Sequence, residues 1–261
     1  MRMGPDDEAT RARRWSALRH AASSALGVLV PVDCVGCGAW DVAVCEPCRM
    51  FLGGPPLRSD SRAPLLAGAT AEASLLPVWS MADYTTPVRE IVLAWKGSGR
   101  RDVAAVVLAQ ARRAAAWWGD EAAAAPDHAV HSLVVRSAEC LIVPVPSGRL
   151  RRSRGLLVAA RLADAVAAGL ASAIPRGGRV RSVDLLRRGR RGRSIRVLGA
   201  PPAGSVIVLV DDVLTTGASL AACARALRAC GGDVVAGFVV AATPPPIDEE
   251  GVDDGGLGPL S

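Results

Sequence analysis

Two adjacent carboxylates, Asp211 and Asp212, precede a short segment of small and hydroxyl-bearing residues. Backbone N–H groups at the start of a helix, together with hydroxyl side chains, bind phosphate oxygens. The two acids would repel a second phosphate, so they are better suited to accept hydrogen bonds from sugar hydroxyls. The sequence therefore predicts a ribose 5-phosphate site in which the phosphate is held by Thr215, Thr216, Gly217, Ala218 and Ser219.

The elements around this segment are predicted to be a buried strand and a helix. Val206 to Val210 is an unbroken apolar run, which is typical of a parallel strand covered on both faces. The helix that follows is predicted to stop at Gly231 and Gly232. An ordinary strand-to-helix crossover with a polar loop is the alternative interpretation. At helical spacing, the helix would bury Leu220, Cys223, Leu227 and Cys230.

The stretch from Val206 to Ser219 resembles the phosphoribosyl-diphosphate binding signature of the type I phosphoribosyltransferases. The match consists of an apolar run, two acids, two apolar residues, Thr-Thr-Gly and a final small hydroxyl residue, without a gap. The resemblance implies that the ligand is phosphoribosyl diphosphate, accompanied by Mg²⁺. It also implies that Asp211 and Asp212 are the catalytic residues.

Four cysteines near the amino terminus form two Cys-x-x-Cys pairs with seven residues between them. Each pair can form a tight turn, and two such turns complete a tetrahedral zinc shell. The spacing predicts a structural Zn²⁺ bound by Cys34, Cys37, Cys45 and Cys48. A disulfide pair or four unliganded thiols are the alternatives. We expect no zinc catalysis, because four thiolates leave the metal no open position.

Composition limits the class of protein. At 261 residues the chain can hold one sizeable core and a small accessory module. Its net charge of +6 comes almost wholly from arginine, since Lys96 is the only lysine, and is weak evidence for nucleic-acid binding. No apolar run reaches the roughly 18–20 residues that a membrane span needs. Asp6, Asp7 and Glu8 disfavour a signal peptide, so we expect a cytoplasmic protein.

The predicted organisation is a small metal module followed by one α/β domain. We expect a type I phosphoribosyltransferase-like fold, with a mainly parallel sheet and helices on both faces. The surest strands are Leu141 to Pro146, whose prolines indicate an edge or a strand end, Val206 to Val210, and Val234 to Ala241. The predicted order is an N-terminal helix (1–30), a four-cysteine zinc module (31–52), a linker (53–74), the α/β domain (75–243) and a disordered tail (244–261).

Two arginine-rich segments are predicted to be loops. Ser147 to Gly155 follows a strand and carries four arginines, so it is placed to meet a diphosphate; a solvated basic loop is the alternative. Arg176 to Arg196 carries nine arginines and four glycines and is predicted to be mobile, either as a lid or as a patch for polyanions. The residues expected to bind the diphosphate are Ser147, Gly148, Arg149 and Arg154.

The order of these parts also resembles that of the ComF family. The shared parts are the four cysteines, Tyr84 with Lys96-Gly-x-Gly-Arg, Pro144-Val-Pro with Arg149 and Arg154-Gly155, and the segment Val206 to Ser219. The resemblance implies a cytoplasmic phosphoribosyltransferase-like protein with a zinc module, associated with the uptake of transforming DNA. It also adds Lys96 to the diphosphate-binding residues, although a lysine on a loop between two helices is by itself typical of a solvated surface.

The chain departs from the family pattern at two places. Leu156-Leu157-Val158 stands where Phe-Asn-Gln usually follows Arg-Gly. Around Leu185 to Gly199, a shortened segment with arginines replaces the usual Gln-x-x-Leu and Arg-x-x-Asn elements. These departures favour ribose-phosphate binding over turnover and leave the acceptor unspecified.

Two functions of different classes remain. One is a phosphoribosyltransferase, or a former one, that moves a 5-phosphoribosyl group to an acceptor with Mg²⁺. The other is a non-catalytic accessory protein of DNA uptake, which would bind single-stranded DNA or a translocase through the zinc module and the arginine loops. The direction of the arginines discriminates between them, because they point either inward over the sugar-phosphate site or outward as a stripe.

Overall fold

A computed structural model describes residues 32–66, 74–97, 100–124, 139–146, 158–173, 179–189 and 194–244. The N-terminal helix predicted for residues 1–30 lies outside these ranges, as does the predicted tail from residue 245 onwards. In the described ranges, no helix has both the length and the apolar character needed to cross a membrane.

The helices are α1 (Glu46–Met50), α2 (Val88–Gly97), α3 (Arg101–Ala124), α4 (Val158–Ala173) and α5 (Ala218–Arg228). The strands are β1 (Leu57–Arg58), β2 (Val78–Asp83), β3 (Glu139–Pro144), β4 (Arg179–Ser182), β5 (Leu186–Arg188), β6 (Ile195–Val197), β7 (Ser205–Leu214) and β8 (Asp233–Ala242).

Six of the described strands form one sheet in the order β1-β2-β8-β7-β3-β4. All neighbouring strands in it are parallel except β1 and β2, which are antiparallel. β7 lies inside the sheet, with Val208 aligned with Ile142 of β3 on one side and Ala236 of β8 on the other. This topology confirms the predicted α/β fold with a mainly parallel sheet.

Helices cover both faces of the sheet, and the side chains of β7 alternate between them. Val206, Val208 and Val210 belong to a cluster with buried residues of α2, α3 and α4. Ile207 and Leu209 belong to a second cluster with the buried face of α5. The alternation follows from the two-residue period of a strand. All five side chains are at most 4% exposed, so the prediction of a fully buried parallel strand is confirmed.

β3 is not an edge strand, although its prolines left that interpretation open. It pairs with β7 on one side and with β4 on the other. Pro144 is the last residue of β3, and Val145 then donates its N–H to the carbonyl oxygen of Val210 at 2.8 Å. The prolines therefore mark a strand end, which was the other interpretation.

The segment Arg176 to Arg196 contains regular structure where it is described, so the prediction of a mobile loop is wrong there. β4 forms the edge of the main sheet beside β3, and β5 pairs with β6 in an antiparallel hairpin. Leu186 is fully buried in the second cluster, and Ile195 packs against that cluster. These few apolar positions anchor the strands, and the abundance of arginine and glycine conceals them.

The described part of the predicted linker (53–74) is also packed onto the domain. β1 pairs with β2, and a 3-10 turn at Asp60–Arg62 follows it. Ala63 and Leu66 are fully buried in the second cluster. This part of the segment therefore adds the edge strand β1 to the sheet and contributes Ala63 and Leu66 to the second cluster.

The cysteines outside the four-cysteine cluster differ in burial. Cys140 is buried, Cys223 is buried as predicted, and Cys230, also predicted to be buried, is exposed. α5 ends at Arg228, before Cys230, and Gly231 turns the chain with a φ of 82°. The helical spacing therefore fails at its last position because the helix has already ended.

Candidate functional site

The two carboxylates lie inside β7, at the carboxyl end of the parallel strands. β7 extends to Leu214, and Asp211 is aligned with Val239 of β8. The strand therefore extends beyond the predicted apolar run Val206 to Val210, because β8 continues to pair with β7 past Val210. Ligands of open α/β sheets bind outside this edge of the sheet, so the acids are placed where a ligand would be expected.

The loop after β7 depends on a glycine that no other residue could replace without strain. Gly217 has a φ of 77° and forms the N-cap of α5. A Cβ at this position would lie 2.6 Å from Cγ of Leu66 and 3.2 Å from Cβ of Ala63. Both its backbone conformation and its packing therefore require glycine. The close contact also shows that Ala63 and Leu66, in the segment before β2, pack against this loop.

The start of α5 offers an anion site. No side chain caps the helix, so its first N–H groups remain available to an incoming acceptor. Ala218 N–H makes only a 3.4 Å contact with Oγ1 of Thr216. The residues around this point enclose a pocket of ≈ 60 Å³, room for roughly four to six water-sized groups, which suits a phosphate. Its lining consists of Asp211, Val213, Leu214, Thr215, Thr216, Gly217, Ala218, Ser219 and Leu220.

Asp211 is electrostatically unfavourable in its ionised form. Burial and the adjacent charge of Asp212 raise the pKa of Asp211 to about 7. Three groups act in the opposite direction: the N–H of Asp212, which donates to Oδ1 of Asp211 at 2.9 Å, and the positive charges of Lys96 and Arg188. A carboxylate held in this way gains from any hydrogen-bond donor that a ligand brings.

Lys96 contacts the acids directly. Its Nζ lies 2.7 Å from Oδ1 of Asp212, and the two side chains are 17% and 13% exposed. Lys96 belongs to the last turn of α2, so the prediction of a lysine on a loop between two helices is wrong. The helix continues through Lys96 to Gly97, which brings the ammonium group under the carboxyl end of β7. The structure thus places the only lysine of the chain at the candidate site.

Arg188 is a site residue that sequence reasoning did not single out. Its Nε donates to the carbonyl oxygen of Pro146 at 2.8 Å, and its Nη2 donates to Oγ of Ser219 at 3.3 Å. The signal for it was weak, because it is one of nine arginines in Arg176 to Arg196. The useful clue was the apolar Leu186 two residues earlier, since alternate residues of a strand share a face.

The predicted diphosphate loop is not described. Ser147, Gly148, Arg149 and Arg154 lie outside the described residues, so their relation to the pocket stays a prediction. Pro146, the last residue described before this loop, accepts the hydrogen bond from Arg188.

The four predicted zinc ligands are brought together. The sulfur atoms of Cys34, Cys37, Cys45 and Cys48 all lie within 4.8 Å of one another. A tetrahedral zinc with bonds of about 2.3 Å separates its sulfurs by roughly 3.8 Å, so the set fits such an ion. The Sγ atoms of Cys37 and Cys45 are already 3.5 Å apart. Four cysteines in this arrangement can bind a metal such as zinc.

The local backbone favours a thiolate at Cys34. Its Sγ accepts the N–H of Cys45 at 3.3 Å. Burial opposes ionisation, but the N–H groups of Cys45, Gly36 and Cys37 outweigh it and lower the pKa of Cys34 to about 6. Thiolates are the form in which cysteine binds metals.

The cysteine cluster is joined to the candidate site through α2. Cys34 and Cys48 belong to the same hydrophobic cluster as Val88 and Ile91, which lie in the first half of α2. A Cβ on Gly36 would lie 2.9 Å from both Sγ of Cys48 and Cβ of Pro87, the residue before α2. One end of the helix thus packs on the cysteines, and its other end carries Lys96 to Asp212.

Comparison with known proteins gives partial matches to phosphoribosyltransferases. No protein-family model matches the chain. The chain is 42% identical over 87 residues to an adenine phosphoribosyltransferase of Parafrankia sp. (strain EAN1pec), covering 32% of this chain and 47% of that protein. It is 42% identical over 93 residues to the adenine phosphoribosyltransferases of Mycobacterium avium (strain 104) and Mycolicibacterium paratuberculosis (strain ATCC BAA-968 / K-10), covering 34% of this chain and 51% of each relative.

The chain therefore spans about half the length of the curated relatives it matches. These matches and the four-cysteine cluster support a phosphoribosyltransferase-like protein with a possible metal module. The more specific resemblance to the ComF family is not confirmed by them.

Proposed function

We propose that this protein binds phosphoribosyl diphosphate, or a related ribose 5-phosphate, at the carboxyl end of β7. The observation that carries the proposal is the pocket that joins Asp211 to the uncapped start of α5. The helix start and the hydroxyls of Thr215, Thr216 and Ser219 would hold the 5-phosphate. Asp211 and Asp212 would accept hydrogen bonds from the ribose hydroxyls.

The proposal extends to transfer of the 5-phosphoribosyl group. In such a reaction the bond between C1 of the ribose and the diphosphate breaks, the diphosphate leaves with the bonding electron pair, and the acceptor bonds to C1 and releases its proton to water. Mg²⁺ bound with the diphosphate would neutralise its charge. The chain would supply cations for the same charge, Lys96 among the described residues and Arg149 and Arg154 on the predicted diphosphate loop. The names of the relatives make adenine the first acceptor to test.

The site proposal is tested by isothermal titration calorimetry with phosphoribosyl diphosphate and Mg²⁺. Replacing both acids, Asp211→Asn with Asp212→Asn, should weaken binding by at least about tenfold, because charge-assisted hydrogen bonds to the ribose are lost. Asp233→Asn is the matched control, since Asp233 is an exposed acid at the amino end of β8. A double variant that keeps its fold by circular dichroism and binds as tightly as wild type would contradict the assignment of the acids.

A role in DNA uptake rests on the order of motifs alone. Three arginines of the segment Arg176 to Arg196 are engaged within the protein: Arg188 contacts the candidate site, and Arg181 and Arg187 pair with Glu139 and Asp184. A titration with a short single-stranded DNA, in parallel with phosphoribosyl diphosphate, separates the two functions. DNA binding with a steep salt dependence and no sugar-phosphate binding would favour the accessory protein.

A further inference from the structure

The hairpin formed by β5 and β6 reaches the candidate site through one side chain. Leu186, fully buried in the second cluster, anchors β5 on the face of the sheet that α5 covers. Arg188 follows two residues later and therefore points to the same face. There it donates to Oγ of Ser219, the second residue of α5. Arg187 lies between them, and its exposed side chain points to the opposite face. Its Nη2 is 3.8 Å from Oδ2 of Asp184.

We propose that Arg188 is a positioning residue for the 5-phosphate, which orients the Ser219 hydroxyl and adds a positive charge beside the start of α5. The inference rests on the proposed ribose 5-phosphate site and deepens it by adding a residue from the hairpin. The same guanidinium is tied to the end of β3 through its 2.8 Å hydrogen bond to Pro146. Its position is thus fixed by two hydrogen bonds, one to Pro146, just after β3, and one to the start of α5.

The hydrogen bond to Ser219 has a directional consequence. A serine hydroxyl has one proton to donate and two lone pairs to accept with. Because Arg188 can only donate, it occupies a lone pair of Oγ and leaves the hydroxyl proton to donate elsewhere. Ser219 lines the pocket, where a phosphate oxygen would be the acceptor. Arg188 therefore orients the Ser219 hydroxyl so that it donates its proton to the phosphate.

The charge of Arg188 acts on the same pocket. It is one of the two cations that oppose the raised pKa of Asp211, so its field reaches the acids as well as the start of α5. A dianionic phosphate placed between these groups would be attracted by Arg188 and by the helix terminus together.

The test is calorimetric titration of the full chain with ribose 5-phosphate and, separately, with inorganic diphosphate. Arg188→Gln should weaken ribose 5-phosphate binding by about tenfold or more while changing diphosphate binding by less than about twofold. Arg187→Gln, the neighbouring control, should leave both affinities within about twofold, because its side chain faces away from the pocket. Arg188→Lys should restore part of the loss, since it keeps the charge but not the fork of donors.

A double-variant cycle with Ser219→Ala separates positioning from a purely structural effect. In the Ser219→Ala background, Arg188→Gln should cost less than in wild type, because the hydroxyl that it orients is gone. Equal losses in both backgrounds would remove the positioning role. Equal loss of diphosphate binding would assign Arg188 to the other end of the ligand, and unchanged ribose 5-phosphate binding would remove it from the site.

The two proposals fail in different ways. If wild-type protein binds neither ribose 5-phosphate nor phosphoribosyl diphosphate, the proposed function is wrong and this inference is overturned with it. If wild type binds and folded Arg188→Gln binds equally well, the inference alone is wrong. Should Arg188→Gln not fold, Arg188→Lys carries the same comparison.

Discussion

At the scale of single residues, the carboxylate of Asp211 destabilises the folded protein when it is ionised. Its pKa is raised to about 7 in the folded chain, whereas an aspartate in an unfolded chain titrates near 3.9. Between these two values the folded state binds the proton more tightly than the unfolded state does. The free energy of unfolding therefore decreases as pH rises from about 4 to about 7, and the deficit stays constant above that range. A salt-bridged carboxylate with a lowered pKa has the opposite effect, because its ionisation stabilises the folded state as pH rises.

Asp211→Asn should remove this pH dependence. We expect the variant to be more stable than wild type at pH 8 by an amount on the order of 2–4 kcal/mol, and nearly equal to it at pH 4. Urea unfolding followed by circular dichroism at several pH values measures the difference. Asp233→Asn, at an exposed position, should follow the wild-type curve. A variant that is less stable than wild type at pH 8 would show that the Asp211 carboxylate is stabilised in place rather than strained.

At the scale of elements, α3 and α4 support the candidate site by packing closely on each other. Gly169 of α4 faces α3, where an added Cβ would overlap the carbonyl oxygen of Arg112 and lie 2.8 Å from Cβ of Ala115. The glycine lets the two helix backbones approach. Because α4 also packs on the sheet through Leu162 and Val166, a shift of this pair would displace the face beneath β3 and β7.

Gly169→Ala should therefore destabilise the protein, although alanine is normally the better helix former. The expected loss is about 1–3 kcal/mol, the usual cost of overpacking, after subtraction of the propensity gain. Gly97→Ala, in the last turn of α2, is the control, because a Cβ there would meet nothing within 4 Å. Thermal unfolding of the two variants gives the comparison. A Gly169→Ala protein as stable as the Gly97→Ala protein would mean that α3 and α4 can separate freely.

The strands also show how much of the fold could be predicted from the sequence. The apolar run Val206 to Val210 and the apolar part of β8 are continuous enough to predict as buried strands, and both are found. β5 and β6 have three residues each, and three of these six residues are arginines, so the strands are too short and too polar to be recognised by pattern. Their stability comes from the buried Leu186 and from pairing with each other, which are tertiary contacts.

The residues of the candidate site likewise fall into those that a sequence pattern predicts and those that only the fold brings together. Asp211, Asp212 and Thr215 to Ser219 are contiguous in sequence, so their pattern could be recognised without knowing the fold. The contacts of Lys96 and Arg188 connect residues that are 116 and 31 positions from their partners Asp212 and Ser219. Such contacts depend on helix length and strand register, which sequence patterns fix only within a few residues.

At the scale of the whole molecule, the cysteine cluster and the domain share one core. Leu52, Cys34 and Cys48 belong to the cluster that also contains Trp79 and Trp95. The structural disturbance caused by loss of a metal at the cysteines would therefore extend beyond the amino-terminal region. Because Trp95 is next to Lys96, the disturbance should reach the ion pair with Asp212.

Removal of zinc tests this connection. We expect purified protein to contain one zinc per chain, and Cys37→Ser to lower zinc content, thermal stability and affinity for phosphoribosyl diphosphate together. Cys230→Ser is the control, because Cys230 is an exposed cysteine outside the cluster. Elemental analysis, thermal unfolding and calorimetry measure the three quantities. Zinc-free protein with four freely titratable thiols would contradict the metal assignment.

The pairing of Lys96 with Asp212 has a practical consequence for chemical labelling. No other side chain in this sequence carries a primary amine, so lysine-directed acylation or reductive methylation would modify a single side chain. That amine is 2.7 Å from a carboxylate and only 17% exposed, which should slow its reaction with any reagent. A ligand that draws Asp212 away would change the reaction rate. The protein therefore carries its own reporter group at the site, and occupancy can be followed by mass spectrometry without introducing a probe.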